Sequence, residues 1–215
     1  MEEYKRQRDD YLSRNDVATM TVGLKTQLAQ KLFVFDELIG ELIAWKTEKN
    51  RQTDADVLKD LSFIPLMKCL YIVCLLSVHK DKNGSLFDVF NNYAAYRYGP
   101  VDEDCYYHID DLPHYKMDYE NGIITKRTAS APTLLGIPVT GIAASVAAAS
   151  AQLTNAVNDL KGALYFPGFK DKYGLVELTH RDLWEAAKEA GSPLNTGNME
   201  LLLKEARDVR IVIAA

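Results

Sequence analysis

Between residues 58 and 79 the chain is apolar on every side of a helical wheel, and this stretch constrains the rest of the fold. Leu66, Leu70, Val73 and Val78 recur along it, and Met67, Ile72, Leu75 and Leu76 fill the faces between them. A helix without a polar face has to be wrapped by other elements, so it is expected at the centre of a bundle. Pro65 and Lys68 interrupt it too strongly for a membrane span. The wrapping must come from the remainder of 215 residues, of which 47% are hydrophobic over the whole chain. That is enough for the core of one domain, or one domain with an appendage.

The flanking segments supply helices. Residues 1–23 read as a charged N-terminal arm or solvated helix. Residues 1–14 lack the apolar core of a signal peptide, which points to the cytoplasm. From Leu24 to about residue 49, Leu28, Leu32, Phe35, Leu38, Ile39, Leu42 and Ile43 keep a helical period. A turn is expected at 80–84. A short aromatic helix is expected over 86–98, stopped by Gly99-Pro100, and another over 102–110 that opens on three acids. Asn121-Gly122 predicts a β-hairpin over 116–126.

Residues 128–158 carry no charge and are rich in Ala, Ser, Gly and Pro. Three readings compete for them: a membrane span, for which the Ala-rich composition gives little drive; a flexible insert; and a close-packed helix from 142 to about 165. The helix is favoured, with Ala143, Ala147 and Ala151 on the approach face to the rest of the chain or to a second copy. A turn at 166–169 precedes a helix over 181–190, capped by Thr179 and ended by Gly191. A last helix is expected over 199–208, followed by a short strand or tail over 209–213. The fold class is mainly α, with a small β-hairpin, forming one domain over 24–215.

Little here is catalytic. A net charge of -5 argues against a general nucleic-acid binder. The three cysteines, Cys69, Cys74 and Cys105, have no metal-type spacing and read as core thiols. No phosphate-cradling glycine motif is present. His108, Asp110, Asp111 and His114 are the nearest approach to a metal set, but Pro113 divides them; a metal-assisted hydrolase is the reading they would support. His180 beside Asp182 and Glu185 can be drawn as a general base, although a helix-start role, with Trp184 packing inward, is simpler. No enzyme activity and no cofactor are expected. Tyr93, Tyr96, Tyr98, Tyr106 and Tyr107 gather around Gly99-Pro100, either as core rings or as an exposed binding groove. Lys68, on its apolar helix, either pairs with an internal acid or presents a charge to a partner.

Four pieces in order carry a family likeness: Lys68-Cys69-Leu70-Tyr71, Ser85-Leu86-Phe87, Tyr98-Gly99-Pro100-Val101 and Tyr106, followed later by Leu178-Thr179-His180 and Trp184. The set resembles the Panacea domain of SocA-like antitoxins, with Cys69 where that family often has Leu and Tyr96 where Trp is common. The resemblance implies an antitoxin of a type II toxin–antitoxin system, which blocks a cognate toxin by direct protein–protein binding. It also implies no shared catalytic residue. The residues it marks for partner binding are Lys68, Tyr71, Phe87, Tyr96, Tyr98, Gly99, Pro100, Val101, Tyr106, His180 and Trp184. Some family members are phage-associated, and one resembles an adaptor that delivers its toxin to a protease. That is the alternative function here, and the terminal Ala214-Ala215, similar to bacterial degradation tags, motivates it.

Overall fold

A computed structural model describes residues 2–51, 53–79, 84–163 and 171–214. The turn expected at 166–169, most of the one at 80–84, the end of the helix near 165 and Ala215 lie outside them.

The apolar stretch is central, as its composition requires, but it is two helices. After α1 (Glu2–Arg14) and α2 (Val22–Asn50), the chain forms α3 (Asp54–Asp60), breaks at Leu61-Ser62 and resumes as α4 (Phe63–Ser77). Pro65 explains the break. Inside a continuous helix its ring would clash with the carbonyl four residues back, whereas in the first turn of a new helix its missing N–H is not needed. Every residue of α4 from Pro65 to Ser77 is buried. Arg210 closes the far end by donating to the Leu76 and Val78 carbonyls at 2.8 and 2.7 Å.

Between α4 and α5 (Glu103–Tyr107) the expected aromatic helix over 86–98 does not form. A 3₁₀ turn at Leu86–Asp88, capped by Ser85, leads into the antiparallel pair β1 (Tyr93–Tyr96) and β2 (Gly99–Asp102). Phe87, Phe90 and Tyr93 have helical spacing, but a hairpin packed against α4 wins here. Gly99 takes φ +102°, and Pro100 sits in a strand where its missing donor is tolerated. Asp102 is the N-cap of α5 through the Cys105 amide, and α5 is followed by a 3₁₀ turn at Ile109–Asp111 instead of running on to residue 110.

The Asn-Gly hairpin is present as β3 (Tyr115–Asp118) and β4 (Ile123–Lys126). Its loop is four residues long rather than two, held by Asp118, whose side chain accepts from the Glu120 and Asn121 amides.

The uncharged segment folds as a two-residue hairpin, β5 (Thr133–Leu134) and β6 (Ile137–Pro138), and then α6 (Val139–Ser145) and α7 (Ala147–Lys161). The turn residues Leu135 and Gly136 both have positive φ. The packed-helix reading is therefore the one the chain follows, with a break at Val146. The predicted alanine stripe does not make the packing face: Ala147 and Ala151 are exposed. Leu153, Ala156, Val157 and Leu160 are buried instead, against α2 and α4, because the break resets the helical phase. Among the described residues no helix is long and apolar enough to cross a membrane.

The chain ends in α8 (Lys172–Thr179), α9 (Asp182–Ala190) and α10 (Met199–Ala214). Gly191 closes α9 in the left-handed conformation, as expected. Thr179 ends α8 rather than capping α9. Residues 209–213 continue α10, burying Val209 and Ile213, and are neither strand nor tail.

The N-terminal arm is more than a solvated helix. Tyr4 and Tyr11, seven apart and so on one face, are buried against Phe63, Tyr106, Tyr107 and Tyr119. Their hydroxyls donate to the Tyr106 carbonyl at 2.8 Å and to Asp104 at 2.7 Å.

Candidate functional site

The hairpin β1–β2 lies against α4, α8 and α9, and side chains from these helices hold its backbone. Lys68 of α4, 1% exposed, donates to the Pro100 carbonyl at 2.9 Å. It therefore neither pairs with an acid nor presents a charge outward. Burial lowers its ammonium to about 7. The Trp184 indole of α9 donates to the Tyr96 carbonyl at 2.9 Å. His180 lies flat on Trp184, with ring centroids 3.8 Å apart and planes 6° from parallel. Burial lowers the imidazole pKa and the Lys68 ammonium lowers it further, while a hydrogen bond with the Tyr98 backbone opposes both. The Lys188 ammonium stands 4.5 Å from the centroid of the Trp184 ring, a cation–π contact. Just past α9, the Leu194 amide donates to the Tyr93 carbonyl at 2.9 Å.

Gly99 is the closest point of approach. A Cβ there would lie 2.8 Å from Lys68 Nζ, 3.0 Å from Thr179 Oγ1 and 3.0 Å from His180 Cδ2. Beneath it, Tyr71, Phe87 and Tyr93 form an edge-to-face triad with centroids 5.3 to 5.7 Å apart. Tyr71 donates to Glu205 Oε2 at 2.9 Å, and Glu205 Oε1 accepts from the Leu183 amide at 2.7 Å, in the first turn of α9. Glu205 of α10 thus supplies the cap that Thr179 was expected to provide. Sequence reasoning missed it, because on an amphipathic helix among Lys204 and Arg207 it has the signature of a surface acid.

The motif residues of four distant segments therefore meet around one hairpin. Most of them are inside. Lys68, Tyr71, Phe87, Gly99, Pro100, Val101 and Trp184 are buried, so in this conformation they shape the hairpin rather than touch a partner. Tyr96, Tyr106 and His180 are half-buried. Tyr96 is bonded to the Glu103 carboxylate at 3.1 Å and to the Tyr107 hydroxyl at 2.5 Å. Tyr98 at the tip is 48% exposed, with the Arg97 guanidinium 5.4 Å from its ring centroid. Of the tyrosine cluster, then, Tyr93 and Tyr107 are core rings and Tyr98 is the outward one.

Trp184→Phe keeps the stacking partner of His180 but strands the Tyr96 carbonyl, and the expected loss is about 1–2 kcal/mol of stability. Amide hydrogen exchange should quicken at 96–99 before the rest of the chain; uniform quickening would show that the indole bond does not hold the tip.

The histidines expected near a metal are split. His108 is paired with Asp111 at 2.8 Å, and His114 with Asp36 of α2. Among the described residues no group of three or more His, Cys, Asp or Glu side chains is arranged to hold a metal ion. All three cysteines are buried and unpaired. Comparisons with protein-family models, with curated protein sequences and with solved structures gave no match.

Proposed function

We propose that this chain is an antitoxin that neutralises a cognate toxin by direct, non-catalytic binding, and that the tip of β1–β2 is the part that meets the toxin. The observation carrying this reading is the convergence of Lys68, Tyr71, Gly99, His180 and Trp184 on one hairpin, although more than 100 residues separate the first from the last. A chain that spends a buried lysine, a stacked histidine and an indole N–H on the backbone of a four-residue strand pair is holding that tip in a fixed shape. Preorganisation of this kind lowers the ordering cost of binding. Tyr98, a rigid amphipathic ring on the tip, has the chemistry of an interface anchor. The net negative charge suits a toxin with a basic substrate-binding cleft and speeds encounter with it.

Residues 210–214, part of the end that motivates the protease-adaptor reading, belong to α10, with Ile213 buried and Ala214 exposed.

The test is co-expression with each neighbouring open reading frame, scored for growth and co-purification. A neighbour that is toxic alone, and is bound and silenced by this chain, supports the reading; no toxic or co-purifying neighbour removes it. With a partner in hand, Tyr98→Ala should leave stability within about 0.5 kcal/mol. It should weaken binding by about 2 kcal/mol, some thirtyfold, as loss of an anchor does. Unchanged affinity would move the interface away from the tip.

A further inference from the structure

A cleft of about 750 Å³ opens between the first half of α2, the segment before β1 and the start of α7. Small-molecule sites commonly measure about 300–1,000 Å³. Met20, Leu24, Leu28, Val89 and Val146 form an apolar strip on its walls beside the polar Asn15, Gln27, Gln30 and Ser145, and Leu24 is 57% exposed.

The floor is a buried ionic network. The Lys31 ammonium reaches Asp104 at 2.6 Å, Asn91 at 3.0 Å and Asp102 at 3.4 Å. Its three N–H bonds are all committed, so it has nothing to offer an anion. One ammonium between two carboxylates leaves the floor with an excess negative charge, and Asp88 on the rim adds another. Lys31 is the only cation among the described residues that line the cleft. A neutral ligand would gain little from this field and an anion would be repelled. A cation with an aliphatic stem matches both the floor and the apolar strip.

We propose that this cleft binds an alkyl cation, a guanidinium or ammonium group whose head faces Asp88 and Asp104 while its stem lies on Leu24, Leu28 and Val146. The group can come from a free amine or from an arginine or lysine side chain of a polypeptide. The proposal is independent of the antitoxin reading.

It is tested by titrating the isotope-labelled full chain with agmatine, with N-acetyl-arginine methylamide and with n-butylurea as the neutral control. Saturable shifts are expected at the Asn91 side-chain amide and at the Val89 and Ala148 amides, with a Kd of about 1 mM, ordinary for a ligand of this size. The tighter of the two cations names the source. Asp88→Asn should weaken binding about threefold, the range of a part-exposed charge. Ala148→Arg, on an exposed position at the cleft, should place the chain's own guanidinium in the site and weaken agmatine by about tenfold or more without lowering Tm. The proposal falls if no shift saturates by about 20 mM, a concentration well above ordinary affinity for so small a ligand. It also falls if n-butylurea binds as well as the cations, or if Ala148→Arg binds agmatine like the parent.

Discussion

Gly99→Ala is expected to cost about 3–5 kcal/mol. Two terms add. A φ of +102° strains any residue with a Cβ, by about 1–3 kcal/mol. The methyl would also land 2.8 Å from Lys68 Nζ and 3.0 Å from both Thr179 Oγ1 and His180 Cδ2. Overpacking of that kind costs about 1–3 kcal/mol. The lysine end is flexible and can swing aside, but only by giving up its bond to the Pro100 carbonyl. The His180 ring is held by its stack on Trp184. For a domain of this size the loss should appear as a fall of about 10 °C or more in Tm. Gly141→Ala is the internal control: it lies in α6 at ordinary φ with nothing within 4 Å of its Cβ, and should be neutral or stabilising by up to about 1 kcal/mol. The double variant Gly99→Ala with Lys68→Ala should cost less than the sum of its singles, because the two side chains contend for one space. Strict additivity would show that the lysine end takes no part in the loss.

That glycine also marks how far the sequence could be read. Its presence beside Pro100 was legible as a stop, and so were the elements whose signals are local: the long period of α2, the Asn-Gly of β3–β4, and the Gly191 that ends α9. The strands β1 and β2 were not legible. A half-buried strand announces itself by alternation, but all four residues of β2 are buried, so no alternation survives. The spacing of Phe87, Phe90 and Tyr93 then mimics a helix. What makes the hairpin stable is supplied from elsewhere in the chain, by Lys68, Trp184 and the Leu194 amide. The candidate site was legible as a set of residues but not as a set of roles. Lys68 reads as a charge awaiting a carboxylate, and only the packing of α4 against β2 turns it toward a carbonyl.

Glu205, the residue that sequence reasoning passed over, carries the other large effect. Glu205→Ala is expected to cost about 3–5 kcal/mol, because it strands the Leu183 N–H and the Tyr71 O–H at about 1–3 kcal/mol each and leaves a void. Against a total stability of about 5–15 kcal/mol that is a severe loss. Glu205→Gln separates bonding from charge. Its carbonyl oxygen can still accept from Leu183, and its amide can donate to the Tyr71 oxygen, so the loss should shrink to about 1 kcal/mol. Burial raises the Glu205 pKa above its ordinary 4.5, and the hydrogen bonds from Leu183 and Tyr71 offset only part of that. A carboxyl with a raised folded pKa holds its proton longer in the native state than in the unfolded one. Its contribution therefore declines as pH rises from 4.5 through the folded pKa, and is constant on either side of that window. Glu205→Gln removes this decline. Urea unfolding of parent and variant across pH 4 to 8 should show the gap between them narrowing as pH rises, since the parent alone bears the cost of burying a charge. A gap that widens with pH would mean that the ionised carboxylate gains more from its two donors than burial takes away, and would make Glu205 an anchor by charge rather than by geometry.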